Sequence, residues 1–388
     1  MTRIAIYSVV APGTQTGVGR QLHGLLAGLQ QIDRDNDYTV YGDPRQPIPL
    51  AAPNFRPYPV RASVDSRLRN HLFTAFALPL LAARQGMQVV HIPNTMPLVI
   101  RRRPAIVTIF DLTEYALPER VYGRRRHAYR RLANRLAARR ANTIITTSAN
   151  TRADLLRYLD VPSAKIRVIY PGLDHDRFRP LALSPGRRAR LNQTYGLTDR
   201  FLLYVGKIQP RKNLGRLLQA FGQLRRTYGD LHLVLAGRRG WMHTDIDRAV
   251  ERLDLAGAVH FTGFVADADL PALYNLAEML VFPSLYEGFG FPVLEAMACG
   301  TPVVTSATSS LGEVAGDAAH CVNPSEAGEI AAAIETVLRD RDGREALVQK
   351  GFGRAREFTW QRCATETLAC YQAAASVASG RAPVTELP

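Results

Sequence analysis

Two glutamates with seven residues between them, Glu287 and Glu295, bracket the stretch Ser284-Leu285-Tyr286-Glu287-Gly288-Phe289-Gly290-Phe291-Pro292-Val293-Leu294-Glu295-Ala296. Gly288 and Gly290 keep that backbone exposed, Pro292 suits the first turn of a following helix, and the freed amides can hydrogen-bond an anion. Carboxylates buried at such a bend need partners, so one can accept from a ribose diol and the other from sugar hydroxyls; exposed helix glutamates are the plain alternative. A second loop, Gly206-Lys207-Ile208-Gln209-Pro210-Arg211-Lys212-Asn213, sets two adjacent cations just ahead of a helix. That is electrostatically awkward against the helix dipole unless an anion such as a diphosphate lies between, or unless the loop is simply a solvated turn. Near the N-terminus Gly13 and Gly17-Val18-Gly19-Arg20 open a helix and let amides approach a phosphate or sugar, or let helix and strand pack closely. The dinucleotide fingerprint would need a further Gly where Leu22 stands, and no P-loop is present. Asp111 follows an apolar run and can bind hydroxyls, act as a base, or cap a turn. The pairs Asp174/Asp176, Asp245/Asp247 and Asp267/Asp269 resemble D-x-D metal sites, but about three such matches are expected by chance among 34 acidic residues, so no metal is required.

The elements that must carry these loops alternate. Arg3–Val10, Tyr38–Tyr41, Gln88–Ile92, Ala105–Phe110, Asn142–Thr147 and Lys165–Ile169 read as strands. Between them, Gln21–Ile32, with Leu22, Leu25, Leu26 and Leu29 on one face, Arg67–Arg84 and Arg124–Arg140 read as helices. Past the segment 170–186, with Pro171, Pro180 and Pro185, the pattern resumes. Strands are expected at Phe201–Val205, Leu231–Ala236, Val259–Thr262, Met279–Pro283 and Pro302–Thr305, and helices at Leu214–Tyr228, Leu270–Ala277 and Val293–Cys299. Such alternation predicts an α/β protein of two doubly wound, Rossmann-like parallel sheets with a cleft between them and ligands beyond the carboxyl ends of the strands. The expected domains are 1–180, 181–358, and a C-terminal portion 359–388 whose helix, Thr359 to Ala375, precedes a loose tail.

Composition narrows the function classes. The chain has 388 residues, 46% hydrophobic and 21% charged, which excludes disordered, collagenous and coiled-coil proteins. The longest apolar run, Leu72 to Ala83, contains Thr74 and Pro79 and falls short of the roughly 20 residues that span a bilayer. The first apolar stretch leads into a Gly-rich turn, so a strand and a cytoplasmic protein are expected, not a signal peptide. The four cysteines, Cys299, Cys321, Cys363 and Cys370, show no metal-ligand spacing and read as reduced thiols in or near the core. The net charge of +15 is lopsided: residues 1–180 hold 27 basic and 12 acidic side chains, an excess of 27 − 12 = 15, and the remainder holds 22 of each. Within 119–140 nine Arg face the single Glu119, and on a helix Tyr129, Leu132 and Leu136 fall on one side among them. That pattern suits an anionic membrane surface, or a packed helix with solvated arginines.

These residues resemble the family-4 glycosyltransferases of the GT-B type. The resemblance rests on the Gly-rich first loop, on VIYPGLDHDRF at 168–178, on YVGKIQPRKNL at 204–214, and most specifically on FPSLYEGFGFPVLEAMACGTPVV at 282–304. It implies metal-independent transfer of a hexose from a nucleotide-sugar donor with retention of configuration. Arg211 and Lys212 would then hold the departing diphosphate, assisted by the amides of Phe289, Gly290 and Phe291. Glu295 would bind the ribose and Glu287 the donor sugar. Gly206, Phe264 and Val265 would complete the nucleotide site, with Gly17 and Gly19 contributing from the first domain. Many relatives place His ahead of Asp111, where this chain has Phe110, leaving Asp111 as the polar group on the acceptor side. A looser likeness to enzymes of bacterial surface-polysaccharide and lipopolysaccharide assembly suggests GDP-mannose as donor. It also suggests a glycan or lipid-linked acceptor, and peripheral contact with the inner face of the cytoplasmic membrane. No cofactor and no nucleic acid are implied. Competing readings are a GT-B nucleotide-sugar epimerase, a glycoside hydrolase, which would need no Arg211–Lys212 pair, and a nucleic-acid-binding protein, which would show interleaved aromatics.

Overall fold

The computed structural model describes residues 1–8, 16–45, 47–60, 67–117, 123–240 and 243–378. Gly13, the stretch around Glu119 and Arg120, and the C-terminal tail lie outside them. The chain divides into two units, Met1–Gly172 with Phe358–Pro388, and Leu173–Glu357.

In the first unit seven parallel strands, β1 (Arg3–Tyr7), β2 (Asp37–Gly42), β3 (Phe55–Pro59), β4 (Val89–Ile92), β5 (Ala105–Ile109), β6 (Thr143–Thr146) and β7 (Ile166–Val168), lie in the order β3-β2-β1-β4-β5-β6-β7. Strand β1 is apolar from Ile4 to Tyr7 because both faces are covered there. Ile4 and Ile6 pack with Leu22, Leu25, Leu26 and Leu29 of the helix Gly17–Ile32, while Ala5 and Tyr7 pack with Leu78, Ala82 and Ala137 on the other side. The strand β3 was not expected from Phe-Arg-Pro-Tyr-Pro, since proline removes ladder donors, but an edge strand tolerates that loss. The helical stretch expected over 67–84 forms with a π-turn at Phe73–Ala77. Pro79 has no amide to offer the Ala75 carbonyl, and the amide of Ile100 donates to it instead, at 3.1 Å.

Trp360 opens the last helix, Trp360–Ala378, which packs along Gly17–Ile32. A Cβ at Gly24 would collide with the indole ring of Trp360, and one at Gly28 or Gly172 with its backbone. The three glycines therefore permit this close docking.

The second unit holds six parallel strands, β8 (Phe201–Val205), β9 (His232–Ala236), β10 (Val259–Gly263), β11 (Met279–Phe282), β12 (Val303–Ser306) and β13 (His320–Val322), in the order β10-β9-β8-β11-β12-β13. Its boundary falls at Gly172/Leu173, eight residues before the expected position 180. The reason is packing: Phe178 stands edge-on to Tyr274 at 6.2 Å, and the Leu181 amide donates to Asn275 Oδ1 at 2.8 Å. The chain passes back to the first unit at Phe358, whose ring stands edge-on to Tyr170 at 5.7 Å. Helices not foreseen include Pro185–Tyr195, which is capped by Ser184, begins with Pro185 and ends on Gly196 in the left-handed region at φ 65°. All four cysteines are free thiols, three of them buried. Among the described residues no helix is long and apolar enough to cross a membrane.

Candidate functional site

Strand order reverses between β8 and β11, so a crevice opens beyond their carboxyl ends, and the loops following these two strands carry the residues singled out above. After β8 the chain turns at Gly206 (φ 150°), where a Cβ would come within 2.9 Å of the Tyr204 hydroxyl. A short 3-10 turn, Pro210–Lys212, follows, and Asn213 then takes the left-handed conformation at φ 61°. The Asn213 side-chain amide donates to the carbonyls of Pro283 (3.1 Å) and Pro324 (2.6 Å), and the Leu285 amide donates to the Arg211 carbonyl at 2.8 Å. These bonds lock the cationic loop onto the glutamate-bearing one.

The result is a compact ionic cluster. Arg211 Nη1 lies 2.5 Å from Glu287 Oε2, Lys212 Nζ pairs with Glu287 Oε1, and Lys212 also sits over the Phe282 ring at 4.6 Å. Lys212 and Glu287 are 7% and 8% exposed. Burial alone would push the Glu287 carboxyl up, but Arg211 and then Lys212 pull it down to about 2. Glu287 is therefore ionised at any physiological pH. Its loop is held from behind: its amide donates to Ser309 Oγ at 3.1 Å, and the Ser310 hydroxyl lies 2.9 Å from the Glu287 carbonyl and 2.7 Å from that of Phe289.

Beyond it, Gly290 (φ 126°) caps the helix Phe291–Ala298, and a Cβ there would meet Leu311 at 2.7 Å. Phe289 and Phe291 stand edge to face at 5.1 Å on either side of Gly290, at a helix N-terminus whose dipole favours an anion. Glu295 stands on this helix, fully buried, accepting from the Tyr274 hydroxyl at 2.8 Å. At the end of β10, Phe264 is exposed with Arg238 over its ring at 4.9 Å, while its neighbour Val265 is buried. Three of the six D-x-D aspartates of this unit pair closely with arginines: Asp247 with Arg239 at 2.9 Å, Asp267 with Arg177 at 3.4 Å, and Asp269 with Arg190 at 3.0 Å.

In the first unit the order reverses between β1 and β4, and a cavity of about 360 Å³ lies there. It is lined by Val18 of the Gly-rich turn, Asn94 and Thr95 after β4, Phe110 and Asp111 after β5, and Arg126, Tyr129 and Arg130. Gly17 is exposed as the first residue of its helix, whereas Gly19 is buried with its amide donated to the cap Thr16 at 3.1 Å. That bond commits the Gly19 amide. Asp111 accepts from the Thr113 amide (3.1 Å) and hydroxyl (2.7 Å) and lies 3.3 Å from Arg130 Nη2. Arg130 Nε also binds Glu114 at 2.9 Å, and Asn134 donates to the other Glu114 oxygen. Burial pushes the Glu114 carboxyl up, and Arg130 opposes that shift.

Sequence reasoning missed Asn213, Ser309, Ser310, Tyr274, Arg238, Arg130 and Glu114. Of these, Glu114 left a signal as one of three acids, with Asp111 and Glu119, between two long runs without any, and Arg130 as part of the arginine-rich stretch 119–140.

Comparison with known proteins follows this geometry. Residues 190–354 match the family described as glycosyl transferases group 1, and residues 15–177 match glycosyltransferase family 4. The O-antigen chain mannosyltransferase B of Escherichia coli is 35% identical over 286 residues, covering 73% of this chain and 74% of that protein. The serotype-specific mannosyltransferase WbdA of the same species is 34% identical over 238 residues, 60% of this chain but only 29% of that longer protein. Sucrose-phosphate synthase from Thermosynechococcus elongatus shares the fold, with a TM-score of 0.77, 24% identity and coverage of 96% of this chain and 98% of that one.

Proposed function

Because this chain belongs to the group 1 and family 4 glycosyltransferases, with two Rossmann-like sheets of the GT-B class, we propose that it moves mannose from GDP-mannose, with retention and without a metal ion, to a growing surface polysaccharide. The acceptor is a glycan on a lipid carrier at the inner face of the cytoplasmic membrane. The observation that carries the proposal is the Arg211–Lys212–Glu287 cluster at the strand reversal of the second unit. Two cations against one carboxylate leave a positive site beside a helix N-terminus. A diphosphate there would meet Arg211, Lys212 and the amides of Phe289 to Phe291, and these groups would stabilise it as it leaves. The work of a divalent cation, neutralising the diphosphate, is then done by side chains.

Glu287, held near 2, cannot serve as a general acid at neutral pH. It suits a fixed acceptor for donor-sugar hydroxyls and a negative charge beside the positive charge that develops on the sugar. A glycoside hydrolase would instead need one carboxyl raised enough to stay protonated, which speaks against that reading at this site. Phe264 and Val265 suit the base, and Gly206 admits the phosphates without a Cβ. Asp111, fixed by Thr113 and Arg130, suits the acceptor hydroxyl. The proposal draws its choice of sugar from the mannosyltransferases that the chain resembles.

The test is calorimetric titration with GDP-, UDP- and dTDP-sugars in EDTA, followed by assignment of the product's anomeric configuration. Tightest binding of GDP-mannose, turnover in EDTA and an α-linked product are expected. Preference for a UDP-sugar, an inverted product, or a strict need for Mn²⁺ or Mg²⁺ would each overturn the corresponding part, and nucleotide-sugar turnover without acceptor would indicate an epimerase.

A further inference from the structure

Glu114 stands in the short helix Thr113–Ala116 that follows β5, and its side chain is wholly buried. A carboxylate at that depth persists as a charge only with partners. It has two: Arg130 Nε donates to Oε2 at 2.9 Å, and Asn134 Nδ2 donates to Oε1. Both partners come from the helix Arg124–Arg140, one turn apart, so that helix closes over the carboxylate. Arg130 reaches further. Its Nη2 lies 3.3 Å from Asp111 Oδ1, the same oxygen that accepts from the Thr113 amide at 3.1 Å and the Thr113 hydroxyl at 2.7 Å. Three donors on one oxygen set the orientation of the Asp111 carboxylate.

Access divides the three charges. The side chains of Asp111 and Arg130 are 27% and 30% exposed and line the cavity of the first unit, whereas that of Glu114 is 0% exposed. Glu114 therefore meets no ligand and acts only through Arg130. An ion pair as open as that of Arg130 with Asp111 does not by itself hold a long, flexible guanidinium in one place. The buried carboxylate does, because departure of the guanidinium would strip Glu114 of its compensating charge. Stability alone is a poor reason for this arrangement. Apolar side chains of similar volume would serve a core as well or better. The amide orientation that satisfies Glu114 also leaves Asn134 Oδ1 buried without a partner among the described residues, which is a cost. What the pair provides is a cation fixed before any substrate arrives.

We propose that Glu114 is a positioning residue for the acceptor: it fixes the Arg130 guanidinium, and Arg130 holds the Asp111 carboxylate in the orientation that receives the hydroxyl of an incoming sugar. The proposal rests on the transferase reading and adds to it a control over what accepts the transferred sugar. Transfer and hydrolysis break the same bond, from the donor's anomeric carbon to the diphosphate, which leaves with the electron pair. They differ in whether the oxygen that bonds this carbon, giving its proton to the diphosphate, comes from a sugar or from water. A carboxylate of fixed orientation holds a sugar hydroxyl along one direction, and a loose one accepts from water as readily. Glu114 thereby sets the partition between the two.

The experiment takes the full-length protein with GDP-mannose as donor and octyl α-mannopyranoside as the acceptor probe, and measures dimannoside and free mannose together. Glu114→Gln keeps the shape and removes the charge. The Asn134 amide is then able to turn so that its carbonyl accepts from the new side chain, and the variant should fold. Its ratio of transfer to hydrolysis is expected to fall at least about tenfold, through kcat/KM for the probe. GDP affinity by calorimetry should stay within about twofold of wild type. Arg130→Lys retains a charge but not the fork that reaches two carboxylates, and should lower the ratio likewise. Arg139→Gln, which removes an exposed cation from the same helix, should leave the ratio unchanged. A wild-type ratio in folded Glu114→Gln or in Arg130→Lys, or loss of GDP affinity in step with transfer, would overturn the proposal. Wild-type protein that neither transfers nor hydrolyses would overturn the transferase reading and this inference with it. That outcome is distinct from normal turnover with an unmoved ratio, which fells this inference alone.

Discussion

Glu287 holds two cations in place that would otherwise repel one another in a site with little access to water. Removing one member of such a buried cluster is normally costly, on the order of 3–5 kcal/mol, because the remaining charge is left without compensation. On the proposed reading the loss has a substitute, since a bound diphosphate would supply the missing negative charge. Glu287→Gln should therefore hold or tighten nucleotide-diphosphate affinity while lowering kcat at least about tenfold. Glu295→Ala should act the other way, raising the nucleotide Kd by about 1–3 kcal/mol equivalent and leaving the Tyr274 hydroxyl buried without its acceptor. Parallel calorimetry and steady-state kinetics separate the two, and wild-type behaviour in both would sink the site. Acid stability gives an independent reading of Glu287. Its carboxyl is depressed from 4.5 to about 2, so its stabilising contribution is complete above pH 4.5 and is lost as pH falls towards 2. Urea midpoints measured between pH 6 and pH 2.5 should fall more steeply for the wild type than for Glu287→Gln.

The helix Phe291–Ala298 matters through its first turn. Gly290 adopts a conformation open only to glycine, against Leu311, and this sets where the chain leaves the bend and enters the helix. Gly290→Ala should cost about 1–3 kcal/mol from backbone strain, with the collision against Leu311 added. The measurable outcome is a lower Tm together with weaker nucleotide binding. A lower Tm with unchanged binding would separate the helix terminus from the anion site. The cationic loop is fixed differently, through Asn213, whose side chain ties two distant carbonyls to one turn. Its rigidity is side-chain work, whereas that of the Gly290 bend is backbone work.

The first unit is discontinuous in sequence, and its last helix is part of its core. Cys363, Ala364, Tyr371 and Ala374 pack with Ile4, Leu22, Leu25 and Val89, and Trp360 lies in the notch left by Gly24, Gly28 and Gly172. His91 of β4 is fully buried, bonded to Tyr371 Oη at 2.7 Å and Thr108 Oγ1 at 3.0 Å. Ending the chain after Glu357 would expose that face and strip His91 of its tyrosine partner. Hydrogen exchange on the truncated protein should show lost protection across 1–172 and retained protection across 173–357. Uniform loss in both units would mean that the second cannot hold its fold alone.

Local patterns were enough for the architecture and for singling out the loops that meet in the candidate site. Apolar runs at β spacing alternating with amphipathic helices specify parallel sheets, because a strand buried on both faces must be apolar throughout. Glycine, proline and charge at loop positions marked Glu287, Arg211, Lys212 and Gly290, because their chemistry is incompatible with an ordinary turn. The edge strand β3 escaped notice because Pro57 and Pro59 argue against a strand until its place at the sheet edge is known. The ion pairs of Glu287 with Lys212 and of Glu114 with Arg130, and the meeting of His91 with Tyr371, join positions 75, 16 and 280 residues apart. No pattern along the chain records such distances. The depth of Glu295, the commitment of the Gly19 amide to Thr16, and the outward turn of Tyr129 and Leu132 were likewise decided by packing. A helix with apolar side chains on one side and alanines on the other can bury either, and only the neighbouring sheet selects which face meets the core and which is left at the surface.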